Sequence, residues 1–305
     1  MKSIPILLVL GLLLVMSPPG LALRDAPAPW VQGLCEDVST PRSGFIYWTN
    51  SGRPDIIERA NLDGSSRQTV ISGLEAPRDT ALDLMRGQIY WTDNRTATVE
   101  RANLDGSDRE PLITTGLEEP RGIALDLMRG QMYWVDGNRA RIERANLNGS
   151  GRQPLITSGL ESPFDIALDV EGGQMYWTDL LSGTIERANL DGSGRQPLIT
   201  SGLVEPRGIA LDLMRGQMYW ADSGTDLIER ANLDGSNRVP VISTELVEPR
   251  AIALDVVGRQ MYWSDEGTER GLGTITRARF NGSDRERLIN TGLEFVTGIV
   301  LVLDP

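Results

Sequence analysis

Histidine is absent from this 305-residue chain, and Lys2 is its only lysine. Without histidine, the commonest general base near neutral pH and the commonest transition-metal ligand are both missing. Cysteine is almost absent too. Cys35 stands alone, so no intramolecular disulfide can staple the chain and its stability has to come from packing. That thiol is left either to bridge two chains or to remain unpaired. Beyond residues 4–16 there is no long apolar run, and this one is too short to cross a bilayer. Positive charge is in deficit, with 42 acidic against 30 basic residues and a formal charge of −12. A chain of that sign does not neutralise phosphates, which argues against nucleic acid and anionic membrane surfaces as partners.

What is present begins with a leader. Met1-Lys2, the apolar stretch 4–16 and the small residues Gly20-Leu21-Ala22 read as a signal peptide over 1–22. Residues 23–43 read as a flexible N-terminal segment and 44–305 as the folded domain. The expected location is secreted or periplasmic, with no membrane span.

The domain is a repeat. Tyr-Trp pairs begin at Tyr47, Tyr90, Tyr133, Tyr176, Tyr219 and Tyr262, every interval being 43 residues. A unit reads Gly208-Ile209-Ala210-Leu211-Asp212, Gln217-Met218-Tyr219-Trp220-Ala221-Asp222, Ile228-Glu229-Arg230-Ala231-Asn232, and Val239-Pro240-Val241-Ile242. These are four short apolar segments bounded by glycine, proline or Asp-Gly, and none has helical periodicity. Asp-Gly after the third is a hairpin signal, because both turn positions tolerate a positive φ. Four strands per repeat in a ring of repeats make a propeller blade. The fold class is therefore all-β, a six-bladed β-propeller. Its N-terminal blade lacks a first strand, and Gly298-Ile299-Val300-Leu301 supplies it from the C-terminus. A four-residue insertion in 266–273 moves the match with Ile252 to Ile299.

Tyr-Trp-Thr-Asp at 90–93 and 176–179, with Ile-Glu-Arg-Ala-Asn-Leu-Asp-Gly at 185–192, resembles the class B (YWTD) repeat of low-density-lipoprotein receptors. The resemblance covers residues 44–305. It implies a six-bladed propeller and an extracellular module that binds proteins rather than performing catalysis.

Features repeated in all six units are expected to be architecture. Tyr and Trp, on opposite faces of one strand, should fill the two blade interfaces. The aspartates that close the motif (Asp93, Asp136, Asp179, Asp222 and Asp265, with Asn50 in their place once) should accept backbone hydrogen bonds. Glu-Arg pairs such as Glu186-Arg187 read as a solvated charge ladder. Asn-Leu-Asp-Gly-Ser lacks the alternating ligands of a calcium loop and reads as a turn, so no metal and no cofactor is expected.

Function should lie where the symmetry breaks. The loops between strands two and three share a face with those entering strand one, and Arg78, Arg121, Arg207 and Arg250 enter that face near the axis. Phe164 replaces the repeated arginine in one blade, whose neighbouring loop carries Leu180-Leu181. These seven residues are the candidate protein-binding site, with Phe164, Leu180 and Leu181 as an exposed apolar patch. The partner expected is an extracellular or periplasmic protein or peptide. Two other classes remain open: a calcium-dependent lactonase- or esterase-like propeller enzyme, and a structural extracellular or envelope component.

Overall fold

Each 43-residue unit folds into four antiparallel strands, in a computed structural model that describes residues 42–267 and 273–304. The signal peptide over 1–22, Cys35, most of the 23–43 segment and part of the 266–273 insertion lie outside the described residues. Blade 2 shows the pattern. Pro77–Asp83, Gln88–Asp93, Thr98–Asn103 and Glu110–Ile113 pair in chain order from the axis outwards. Blades 3 to 6 repeat it, starting at Pro120–Asp126, Pro163–Asp169, Pro206–Asp212 and Pro249–Asp255. The first strands of successive blades touch all the way round and enclose the axis.

Blade 1 is built from both ends of the domain. Phe295–Leu303 lies beside Gly44–Ser51, followed outwards by Ile56–Asn61 and Gln68–Ile71. Trp48 faces Ile299 as Trp263 faces Ile252, so the insertion displaces the sequence match without disturbing the pairing. The amide of Asp304 donates to the Ser43 carbonyl at 3.1 Å, and Arg42 pairs with Asp255 at 3.2 Å. Residues 42 and 43, which read as the end of a flexible segment, are therefore held to the propeller.

The aromatic pairs pack as strand parity requires. Each of six apolar clusters joins the tyrosine of one blade to the tryptophan of the next: Tyr47 with Trp91, Tyr90 with Trp134, and so on to Tyr262 with Trp48. All twelve rings are essentially inaccessible to solvent. Burying about 150–250 Å² per ring makes these interfaces the main apolar store of the fold. Asp93 accepts from the amides of Glu75 at 2.9 Å and Ala76 at 3.1 Å, and Asp136, Asp179 and Asp222 bind the same two positions of their own blades. Asp265 takes only the first, from Val247, and the Glu248 amide donates to Asp226. In blade 1, Asn50 accepts from the Glu294 amide and donates to the Gly292 carbonyl. The turn glycine of each blade leans on the blade before it. A Cβ on Gly106, where φ is 85°, would lie 2.1 Å from the Val70 carbonyl oxygen.

The Glu-Arg expectation is corrected. Glu58, Glu100, Glu143, Glu186 and Glu229 are only 2–7% exposed. Each is bound not by the adjacent arginine but by one nine residues later across a hairpin, as Glu186 is by Arg195. That arginine lies over the blade's tryptophan, with its guanidinium carbon 5.7 Å from the Trp177 ring centre. It also donates to carbonyls of the preceding blade, Ser158 and Gly159 in this case. A buried carboxylate needs such a partner, and a solvated ladder would have left it uncompensated.

Candidate functional site

The axial end bearing the loops between strands two and three is a mouth rimmed by arginine. In blade 1 Val296 stands in the place of a proline. In blades 2 to 6 the first strand enters at that proline, followed by a register shift, a bulge that sets the next side chain at the mouth. That next residue is Arg78, Arg121, Arg207 or Arg250, and Phe164 in blade 4. The motif threonine holds this segment in place from the neighbouring blade. Thr49 donates to the Arg78 carbonyl, Thr92 to that of Arg121 and Thr178 to that of Arg207. Val135 and Ala221 replace the threonine and provide no such strut for the segments carrying Phe164 and Arg250.

The arginines are ion-paired across the rim. Glu119 binds Arg121 at 2.8 Å and lies 3.9 Å from Arg78, Glu205 binds Arg207 at 2.8 Å, and Glu266 with Glu248 holds Arg250. Burial lowers the pKa of Arg78 and of Arg207, and mutual repulsion adds to it: Arg121 and Arg250 act on Arg78, and Arg250 on Arg207.

Phe164 does not form an exposed patch with Leu180 and Leu181. It is 7% exposed and sandwiched between the guanidiniums of Arg121 at 5.2 Å and Arg207 at 5.1 Å. Desolvated stacking of this kind favours both cations, so the two arginines close over the ring. Gly137 makes the room, because a Cβ there would lie 2.6 Å from the Arg121 guanidinium carbon. Leu180 is half-buried and Leu181 is 67% exposed. Val204, which the sequence did not single out, is 56% exposed on the same seam between blades 4 and 5. Gly183 of the Leu181 loop packs on the Leu203 carbonyl, and Gly224 packs on the Val204 side chain.

Below the rim, a narrow cleft is lined by Arg78, Arg121, Phe164, Asp79 and Asp165, and the two aspartates also border the axial channel. They occupy a position that is glycine or alanine in the other four blades. The symmetry break was visible in the sequence, but its meaning was not. Asp79 accepts from the Ile123 amide at 2.8 Å, and Asp165 from those of Ile166 at 2.7 Å and Ile209 at 2.9 Å. Enclosure by protein raises both acids, Asp165 to about 6 and Asp79 well above the usual range, with the charge of Asp165 a further cause for Asp79. Among the described residues, no three Asp, Glu, His or Cys side chains come together as a metal-holding group.

A folded-state pKa raised above the unfolded value favours folding when the group is protonated. The contribution of Asp165 is thus complete below about pH 4 and is lost as pH rises through about 6, and that of Asp79 is likewise lost on going from acid towards alkaline pH. Asp79→Asn keeps an acceptor for the Ile123 amide and removes the ionisation. It is expected to stabilise the fold towards neutral pH and to flatten the pH dependence. Thermal melts from pH 4 to 8 check this, and parallel profiles for variant and wild type would refute it.

The sequence profile of the low-density lipoprotein receptor repeat class B matches residues 44–84, 87–127, 130–170, 173–213 and 216–256. The vitellogenin receptor Yl of Drosophila melanogaster is 43% identical over 54 residues, 17% of this chain and 3% of that protein. The human low-density lipoprotein receptor-related protein 5-like protein is 36% identical over 69 residues, 20% of this chain and 27% of its own. The chain thus spans a small part of each relative. A solved structure of a nidogen/laminin complex contains a chain that superposes with a TM-score of 0.74 at 25% identity, covering 86% of this chain and 98% of that one.

Proposed function

We propose, from the premise that this chain belongs to the low-density lipoprotein receptor class B repeat family, that it is an extracellular, non-catalytic module binding a protein or peptide at its arginine-rimmed mouth. The observation that carries the reading is the seam of blades 4 and 5. Leu181 and Val204 are the only large apolar side chains exposed on this face among the described residues. They stand beside Arg121 and Arg207, which the buried Phe164 ring holds in place. An exposed apolar pair next to fixed guanidiniums suits a peptide presenting an apolar side chain and a carboxylate or carbonyl. Arg78 and Arg250 extend the rim on the far side, and Leu180 anchors the loop. The relatives support the reading by name: two are receptors or receptor-related proteins, and the third comes from a complex of nidogen with laminin. Export through the leader over 1–22 would place the module with them.

The test replaces the exposed pair and leaves the packed ring alone. Leu181→Glu with Val204→Glu is expected to keep the wild-type melting temperature. It should lose a partner captured by the wild type from the native extracellular or periplasmic fraction, with affinity falling at least about tenfold, some 1.4 kcal/mol or more. A captured partner held equally by both proteins would show that this seam is not the contact.

A further inference from the structure

The opposite end of the propeller carries an apolar ring that the mouth does not account for. Of the nine large apolar side chains exposed among the described residues, six stand in turns between first and second strands: Leu84, Met85, Met128, Leu213, Met214 and Val257. The methionines are the most open, Met85 at 90%, Met128 at 88% and Met214 at 75%. Such turns tolerate polar residues, and blade 4 has Glu171 in the equivalent place. The apolar turns form two arcs, on blades 2–3 and on blades 5–6, with blades 4 and 1 between them.

Charge follows the same arcs. Arg86, Arg129 and Arg215 each bind an aspartate of their own turn at 2.6–2.9 Å, and those aspartates are fully buried. The guanidiniums are thereby fixed in the turns that carry the methionines, Arg129 and Arg215 also donating to the Val170 and Val256 carbonyls of the next blade, and 36–57% of each side chain stays exposed. Further out on the same face lie the Asn-Leu-Asp-Gly-Ser turns. Their acids, such as Asp105 and Asp234, are made more acidic by the neighbouring serine hydroxyl. The face is thus apolar and cationic near the axis and anionic at its edge.

We propose that this face is a second docking surface, and that its occupant is an acidic amphipathic peptide segment of another protein. Its apolar side chains would lie against Met85, Met128 and Met214, and its carboxylates against Arg86, Arg129 and Arg215. Flexible thioethers adapt to an irregular apolar partner, and fixed guanidiniums favour carboxylates. Charge selects this occupant over two others. A second copy stacked face to face would set arginine on arginine and aspartate on aspartate. A flat anionic membrane would meet the outer aspartates of a chain that carries −12 overall. A single helix or strand is narrow enough to reach the centre alone.

The test uses the full chain and fluorescein-labelled amphipathic helices, one of leucine and glutamate and one of leucine and lysine, read by anisotropy. The leucine-glutamate helix is expected to bind saturably and more weakly as salt rises. Met85→Gln, Met128→Gln and Met214→Gln together should weaken it at least about tenfold without moving the melting temperature. Leu181→Glu with Val204→Glu should leave it unchanged, which separates this surface from the mouth. The proposal is overturned by equal binding of the triple variant, by absence of saturable binding, or by equal binding of the lysine helix. Co-flotation with phosphatidylserine vesicles that the triple variant loses would assign the ring to a membrane instead. A monomer–dimer equilibrium lost in the triple variant would assign it to a second copy.

Discussion

Deleting residues 295–305 is expected to abolish the folded propeller, not merely to weaken it. Phe295–Leu303 is the axial strand of blade 1, paired with Gly44–Ser51 along its length. Its removal takes Val296 and Ile299 out of the core and exposes Ile46 and Trp48, which are wholly buried. Each such side chain contributes on the order of 1.5–3 kcal/mol, and a domain has only about 5–15 kcal/mol in total. The ring would also be left open between blades 6 and 2, with an unpaired strand edge facing solvent. The measurement is calorimetry with near-ultraviolet circular dichroism, where the truncated chain should show no cooperative transition and no fixed tryptophan signal. A control separates closure from simple loss of residues. Leu303 pairs with Gly44, so a permutant that joins 295–303 to 44–294 through a four-residue turn like 127–130 should fold with a near-native melting temperature. A cooperative transition in the truncated chain, or an unfolded permutant, would show that closure does not hold the ring.

That closure was legible in the sequence because it is a matter of counting. A second strand without a first at one end and a first without a second at the other leave one arrangement that buries both. The tyrosine-tryptophan interfaces were legible for a related reason, since alternation in a strand sends neighbours to opposite faces. What was not legible depends on distances between elements. The partner of Glu186 is Arg195, and only the hairpin register and the Trp177 ring beneath them show why Arg187 is not. The signal was present as Gly-Ser-x-Arg, recurring once per blade, but a surface arginine and a capping arginine look alike in sequence. Phe164 was recognisable as a break in symmetry. Its burial was not, because two arginines of the neighbouring blades fold over it only once the ring brings them within about 5 Å. Asp79 and Asp165 lie in alternate blades, and their shared channel exists only in the assembled ring.

Arg152→Ala should be among the most damaging single substitutions available, at about 3–5 kcal/mol. Arg152 binds both oxygens of Glu143 at 2.6 and 2.9 Å, donates to the Thr115 and Gly116 carbonyls of blade 2 and covers the Trp134 ring at 5.6 Å. Glu143 is 2% exposed, so losing the arginine leaves a buried carboxylate without its two hydrogen bonds and with only Arg141, 3.6 Å away, as counter-charge, the costly way to break such a pair. Two unmet carbonyls and a bared indole face add to the loss. Blade 6 indicates which part is indispensable. There Thr276 stands in place of the glutamate, while Arg285 still donates to Thr244 and Glu245 and lies 5.2 Å over Trp263. The arginine is thus the inter-blade clamp, and the carboxylate is needed only where it has been buried. Glu143→Thr alone, which rebuilds the arrangement of blade 6, should cost no more than about 1–2 kcal/mol. The double variant should be more stable than Arg152→Ala, with a coupling of about 2 kcal/mol or more. Urea denaturation of the four proteins gives the cycle, read at constant m-value. Strict additivity, or a loss below about 1 kcal/mol for Arg152→Ala, would mean that the tyrosine-tryptophan packing holds the blades together without this clamp.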